Sequence, residues 1–183
     1  MSRSNEIISS AHQLILERGY SGFSYADIAE QIGIKKASIH YYFPSKANLT
    51  QQVIINYRNV IQSNMQLLNS IPDPKDRIKE FILFWDKCLA KNPRDICLCA
   101  ILISEIPILP EEIQDEIQAH FSELKEWLIS TFESYGNNNK NDSIERANLL
   151  LAGIHGGMLT SRIFNDSNNF HSIKNKLIKL ATN

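Results

Sequence analysis

A chain of 183 residues with 43% hydrophobic content can bury a full core, and a formal net charge of −1 excludes a generic polyanion binder. The first fifty residues hold five Lys and Arg against four Asp and Glu, so any contact with nucleic acid must rest on locally placed groups and on pairing of subunits. No apolar run precedes a cleavage site, no stretch of ~18 apolar residues offers a membrane span, and three cysteines do not make a secreted disulfide scaffold, so a cytoplasmic protein with free thiols is expected.

A first helix is expected over residues 5–18, where Ile7, Ile8, Ala11, Leu14 and Ile15 keep helical spacing and Gly19 closes the element. Ser24 caps a second, short helix carrying Ile28, Ala29 and Ile32, and Gly33 ends it. A third runs from about Lys36 to Tyr42 and stops before Pro44, which disfavours a helical residue ahead of it. Two short helices joined by a glycine-bearing turn form a helix-turn-helix, whose second helix enters a DNA major groove. Lys35, Lys36, Ser38, His40, Tyr41 and Tyr42 can donate to phosphates or base edges, while Ile39 and Phe43 anchor the helix inward. The bland alternative makes His40, Tyr41 and Tyr42 core aromatics. At about 100° per residue, however, four consecutive bulky residues cannot all face inward, so at least two of His40 to Phe43 must be exposed.

Ser45 and Lys46 begin a long helix to about Asn69, with an unbroken stripe through Leu49, Val53, Ile54, Tyr57, Ile61, Met65 and Leu68. Asp73 and Pro74 start another that ends near Ala90. Asn92-Pro93 opens a helix from about Arg94 to Glu105 that is apolar almost all round and therefore expected to be buried on most sides. Residues 110–135 form a further helix, with His120, Phe121, Leu124, Trp127 and Phe132 facing inward. The polar run 136–141 reads as a loop, and Asp142 with Glu145 as the capping box of a helix over 143–165. The last helix spans about 169–182. Gly153, Gly156 and Gly157 each cost about 1 kcal/mol against alanine in a helix, which points to close approach of another helix.

The block from Gly19 to Leu49 resembles the DNA-binding domain of the TetR/AcrR family of transcriptional regulators. The matching residues are Gly19, Phe23, Ser24, Asp27-Ile28-Ala29, Gly33, Ile34, the run from Ser38 to Lys46, and Leu49. The resemblance implies an all-α fold of about nine helices. A helix-turn-helix DNA-binding domain (1–48) would be joined by the long helix to a ligand-binding and dimerisation domain (49–183). It implies that Ala37, Ser38, His40, Tyr41 and Tyr42 touch bases or phosphates and that Tyr25 and Lys46 touch phosphates; Ser24 and Lys36 complete the contact set. Ala37 offers only a methyl group, and Ala26 stands where some members carry a polar base-reading residue. Sequence preference should then lean on Lys36, His40, Tyr41 and DNA shape.

The same resemblance implies a homodimer whose last two helices pair across a two-fold axis, with Ala147, Leu151, Gly153, Ile154, Gly157 and Met158 at the interface. It also implies a repressor that binds a palindromic double-stranded operator and is released by a small apolar or aromatic effector. Phe81, Phe84, Trp85, Cys88, Ile101, Leu102, Glu105, Phe121, Leu124 and Trp127 are the candidate lining of an effector cavity, against the alternative of a plain packed core. A thiol- or metal-responsive regulator of the same fold is the other functional reading. Cys97 and Cys99 lie about 200° apart on a helix and cannot chelate one ion, whereas Cys88 with His120 or His155 is conceivable. No nucleophile elbow, P-loop or zinc-protease pattern is present, so neither enzymatic activity nor a cofactor is expected.

Overall fold

The computed structural model describes residues 2–134 and 139–182. Among them are nine α-helices, one 3-10 helix and no strand. The expected all-α architecture is thus found. The chain divides into two compact units, one built from 1–59 with 98–120 and the other from 60–97 with 121–183. The sequence expectation is a boundary after residue 48; each compact unit takes two separate segments of the chain.

The first unit holds α1 (Arg3–Arg18), α2 (Tyr25–Ile32), α3 (Lys36–Tyr42) and the first turns of α4 (Lys46–Leu68). It also holds α6 (Leu98–Leu102), a 3-10 helix (Ile103–Ile108) and the start of α7 (Glu111–Glu133). Ser2 caps α1 by accepting from the Asn5 N–H, and Gly19 closes it at φ 72°. The Ser24 and Asp27 side chains form a capping box at α2. Gly33 then turns the chain at φ 67°, ψ 39°, a left-handed conformation that glycine adopts without a Cβ penalty. Ile7, Ile15, Ile28, Ile39 and Leu49 are completely buried, each side chain contributing about 1.5–3 kcal/mol.

The second unit takes α4 from Val60 onward, α5 (Pro74–Lys91), the end of α7, α8 (Lys140–Phe164) and α9 (Asn168–Thr182). Asp73 caps α5, and Pro74 occupies its first turn, where a missing N–H costs nothing. Helix α9 packs against α8 and α5. Lys174 on α9 donates to Asp86 on α5 at 2.6 Å, with both side chains largely buried. Arg146 on α8 donates to the Ala181 carbonyl at 2.7 Å, so the C-terminal helix is tied at its middle and at its last turn.

Three local expectations are corrected. The helix over 94–105 shrinks to Leu98–Leu102, followed by 3-10 geometry. Asn92 causes the late start: its side-chain oxygen accepts from the Arg94 N–H at 3.1 Å and its amide donates to Asp95 at 2.8 Å, turning the chain instead of opening a helix. Asp142 is not the cap of α8, because Asn139 caps three residues earlier by accepting from the Asp142 N–H. Of the expected polar loop, residues 136–138 lie outside the described residues, and Lys140 and Asn141 are already helical.

Two of the three glycines of α8, Gly153 and Gly157, are turned inward. A Cβ on Gly153 would meet Leu177 at 2.5 Å, and one on Gly157 would meet Ile173 at 2.7 Å and Phe170 at 2.8 Å. The close helix that the glycines admit is therefore α9 of the same chain. Ala147, Ile154 and Met158 are fully buried beside them, and Leu151 is half-buried. The face of α8 that stays open carries Leu149, Ala152, Gly156, Leu159 and Ile163, and nothing lies within 4 Å of a Cβ built on Gly156.

Candidate nucleic-acid interface

Helix α3 is pinned by Ile39, which is completely buried, and by Phe43 just beyond its end. With that face fixed, helical geometry sends the remaining side chains outward. Lys36, Ala37, His40, Tyr41 and Tyr42 are exposed, Tyr41 at 83%, and Ser38 is half-exposed. The Tyr41 and Tyr42 rings meet edge to face with centroids 5.1 Å apart. An open recess of about 630 Å³ lies along this helix, lined by Arg3, Ile34, Lys35, Ala37, Ser38, Tyr41 and Tyr42. Arg3, whose guanidinium the sequence offers as a candidate phosphate contact, thus lies beside Lys35 and the rest of the expected set. Lys35 was legible as the residue that opens α3, whereas Arg3 begins α1, some thirty residues earlier, and needed the fold to bring it there.

Three expected contact residues have their polar atoms already engaged. The Tyr25 hydroxyl donates to the Phe43 carbonyl at 2.9 Å inside the head, which places the ring edge to face with His40. Burial, with a smaller contribution from Tyr20, pushes the Tyr25 phenol up to about 12. The Lys46 ammonium donates to the Phe23 carbonyl and lies over the Tyr20 and Phe23 rings, 4.6 and 4.4 Å from their centroids. Burial lowers its pKa, with Glu105 and Asp27 opposing. The Ser24 hydroxyl is part of the α2 cap, 2.6 Å from Asp27.

Glu105 belongs to this unit, as does Ile101. Its two carboxylate oxygens accept from the Tyr20 and Ser21 N–H groups at 2.6 and 2.8 Å. Burial works against its charge, but those hydrogen bonds and the Lys46 ammonium outweigh burial and hold its pKa below the ordinary 4.5. Hydrogen bonding from Ser24 likewise lowers the Asp27 carboxyl. A lowered carboxyl pKa adds stability that is complete above the unfolded value and is lost as pH falls through the folded one. The melting temperature is therefore expected to hold on acidification until about pH 4.5 and to drop below it. Glu105→Gln should flatten the upper part of that acid limb; an identical limb in this variant would remove Glu105 from the balance.

Within the second unit the expected effector residues form an aromatic group. Phe81, Trp85 and Leu124 are buried; Phe84, Cys88, Phe121 and Trp127 are half-buried. Trp85 meets Phe84 edge to face at 5.0 Å, and Phe81 lies 5.2 Å from Trp127. Trp127 donates to Asn69 at 2.9 Å, whereas the buried Trp85 Nε1 has no hydrogen-bond partner among the described residues. Phe121 and Trp85 flank His155, whose Nδ1 donates to the Leu151 carbonyl at 2.9 Å. Burial depresses the His155 pKa, but the neighbouring Cys97 and the Leu151 carbonyl reverse that and raise it. A groove of about 340 Å³ runs between the end of α4 and α5, bordered by Met65, Leu68, Glu80, Phe81, Phe84 and Lys87. Of the expected lining it therefore gathers Phe81 and Phe84.

Residues 7–53 match the profile of the bacterial regulatory proteins, tetR family. The chain is 34% identical to a TetR family transcriptional regulator from Agrobacterium tumefaciens whose crystal structure is known. That similarity has a TM-score of 0.89 and covers 96% of this chain and 95% of that one. An uncharacterized HTH-type transcriptional regulator in the lacX 3′ region of Lactococcus lactis subsp. lactis is 26% identical over 186 residues, 96% of this chain and 93% of that protein. The biofilm operon icaADBC HTH-type negative transcriptional regulator IcaR of Staphylococcus aureus is 38% identical over 69 residues, which are 36% of this chain and 37% of IcaR. An exposed, donor-rich third helix on a buried anchor, and near full-length likeness to a solved relative sharing a third of its residues, lead to one conclusion: this chain belongs to the TetR family of transcriptional regulators.

Proposed function

We propose that this regulator is a repressor that binds a palindromic operator as a homodimer and leaves it when a small apolar or aromatic molecule binds. The observation that carries the reading is the outward row of donors on α3, from Lys36 to Tyr42, held over the buried Ile39. Lys35, Lys36 and Arg3 supply charge for phosphates, and Ser38, His40 and Tyr41 supply donors and acceptors for base edges. The likeness to a negative regulator over 69 residues supports repression over activation. Two heads reading half-sites one turn apart must stand about 34–36 Å apart. The open apolar face of α8, with Gly156 at its centre, suits close helix pairing between subunits.

The aromatic group of the second unit supports the effector reading. The groove beside Phe81 and Phe84 offers apolar walls with Glu80 and Lys87 at its rim. A hundredfold release requires the guest to prefer the unbound form by about 2.7 kcal/mol.

Selection of genomic fragments by the purified protein, with affinity followed against salt, tests the reading. Enrichment of one palindrome with a steep loss of affinity at higher salt is expected. Uniform, sequence-blind retention of all fragments by ligand-free protein would overturn it.

A further inference from the structure

We infer that Glu105 is a positioning residue for DNA reading: a carboxylate carried in from 85 residues away that fixes the turn leading into the helix-turn-helix. This rests on the DNA-binding reading given above. The Tyr20 and Ser21 N–H groups point together out of the α1–α2 turn and form a two-donor nest for an anion. Both Glu105 oxygens fill it, one per donor. The turn is shaped for this guest on its other side too. Gly19 adopts φ 72°, and a Cβ there would stand 2.2 Å from the Glu105 Oε1. Lys46, the first residue of α4, lies over the Tyr20 ring and adds a charge that favours the carboxylate.

Three residues beyond Ser21, Ser24 caps α2. The grip therefore sets where α2 starts, and through the Gly33 turn where α3 points. Glu105 itself sits in the 3-10 helix, away from the exposed row of α3, so it acts on DNA through the turn and not by contact. The segment that carries it, α6 and the 3-10 helix, follows directly on Cys97 of the second unit.

The test uses the full chain and a fragment enriched by the wild-type protein. Glu105→Ala is expected to weaken binding to that fragment at least tenfold, while the salt slope and the affinity for random DNA stay unchanged. A residue touching phosphate would lower the slope, and a residue serving only stability would weaken both kinds of binding together. Amide exchange at Tyr20 and Ser21 should accelerate in the same variant. Glu105→Gln, which keeps one good acceptor, should fall between the two and serves as the reporter if the alanine variant is unfolded. In a double-mutant cycle, the damage done by Gly19→Ala should shrink in the Glu105→Ala background, since the backbone strain is common to both and only the methyl–carboxylate clash differs. Full affinity in Glu105→Ala, or slow exchange at both amides, overturns the inference. A wild-type protein that enriches no fragment defeats the DNA-binding reading instead, and amide exchange then decides the grip alone.

Discussion

Gly157→Leu is expected to destabilise the protein by about 3 kcal/mol, the upper range for overpacking a filled core, and to loosen α9. A Cβ alone would already press on Ile173 and Phe170, and Phe170 is completely buried. The leucine must add three more carbons where no room remains, and α9 cannot retreat without giving up the Lys174–Asp86 pair and the Arg146–Ala181 bond. Gly156→Leu is the informative companion. It lies one residue away, faces open space, and replaces a poor helix former by a good one, so folding stability should rise by up to about 1 kcal/mol. Denaturant titration separates the two variants. Sedimentation adds the second half of the contrast: if the open face of α8 joins subunits, Gly156→Leu should shift the mass toward monomer, and an unaltered dimer would remove that face from the interface.

Replacing Lys36 or Tyr42 by alanine is expected to cost about 1–3 kcal/mol of operator affinity each, roughly five- to 150-fold. Both residues are exposed, so thermal stability should move by less than about 0.5 kcal/mol. Lys36→Ala should also reduce the salt slope by about one. Tyr25→Phe provides the opposite profile. Its hydroxyl is spent on the Phe43 carbonyl, so the variant should lose about 1 kcal/mol of stability and bind DNA normally once folded. Gel shift and melting measured on the same three variants check the division. Normal affinity in both Lys36→Ala and Tyr42→Ala would sink the contact assignment.

The helix-turn-helix was legible because its determinants are local. Ser24, Gly33 and Pro44 bracket α2 and α3 by capping, a left-handed turn and a missing N–H, and the bounds Lys36–Tyr42 follow from them. What the local pattern did not carry is settled by tertiary partners that leave no local trace. Whether Lys46 points at phosphate or into the Phe23 carbonyl depends on the ring of Tyr20, and Glu105 reads equally well as a pocket carboxylate until Tyr20 and Ser21 are seen to hold it. The three glycines of α8 announce a close neighbour but not its identity, since an apolar helix from this chain and one from a second copy demand the same small residues. At Asn92 the side chain competes with the helix for a backbone N–H and delays it, whereas at Asn139 the side chain caps the helix and starts it early.

The discontinuous make-up of the first unit bears on how the protein is born. Residues 1–59 leave the ribosome well before 98–120, so the nascent head waits for its missing wall through the synthesis of some forty intervening residues. At about 5–20 residues per second that is a delay of roughly two to eight seconds. During it the α1–α2 turn lacks the carboxylate that closes it, and Ile7 and Ile15 wait for the full set of neighbours that buries them. A regulator excised at residue 59 would remain in that immature state, and a head grafted onto a relative would have to travel with its second segment.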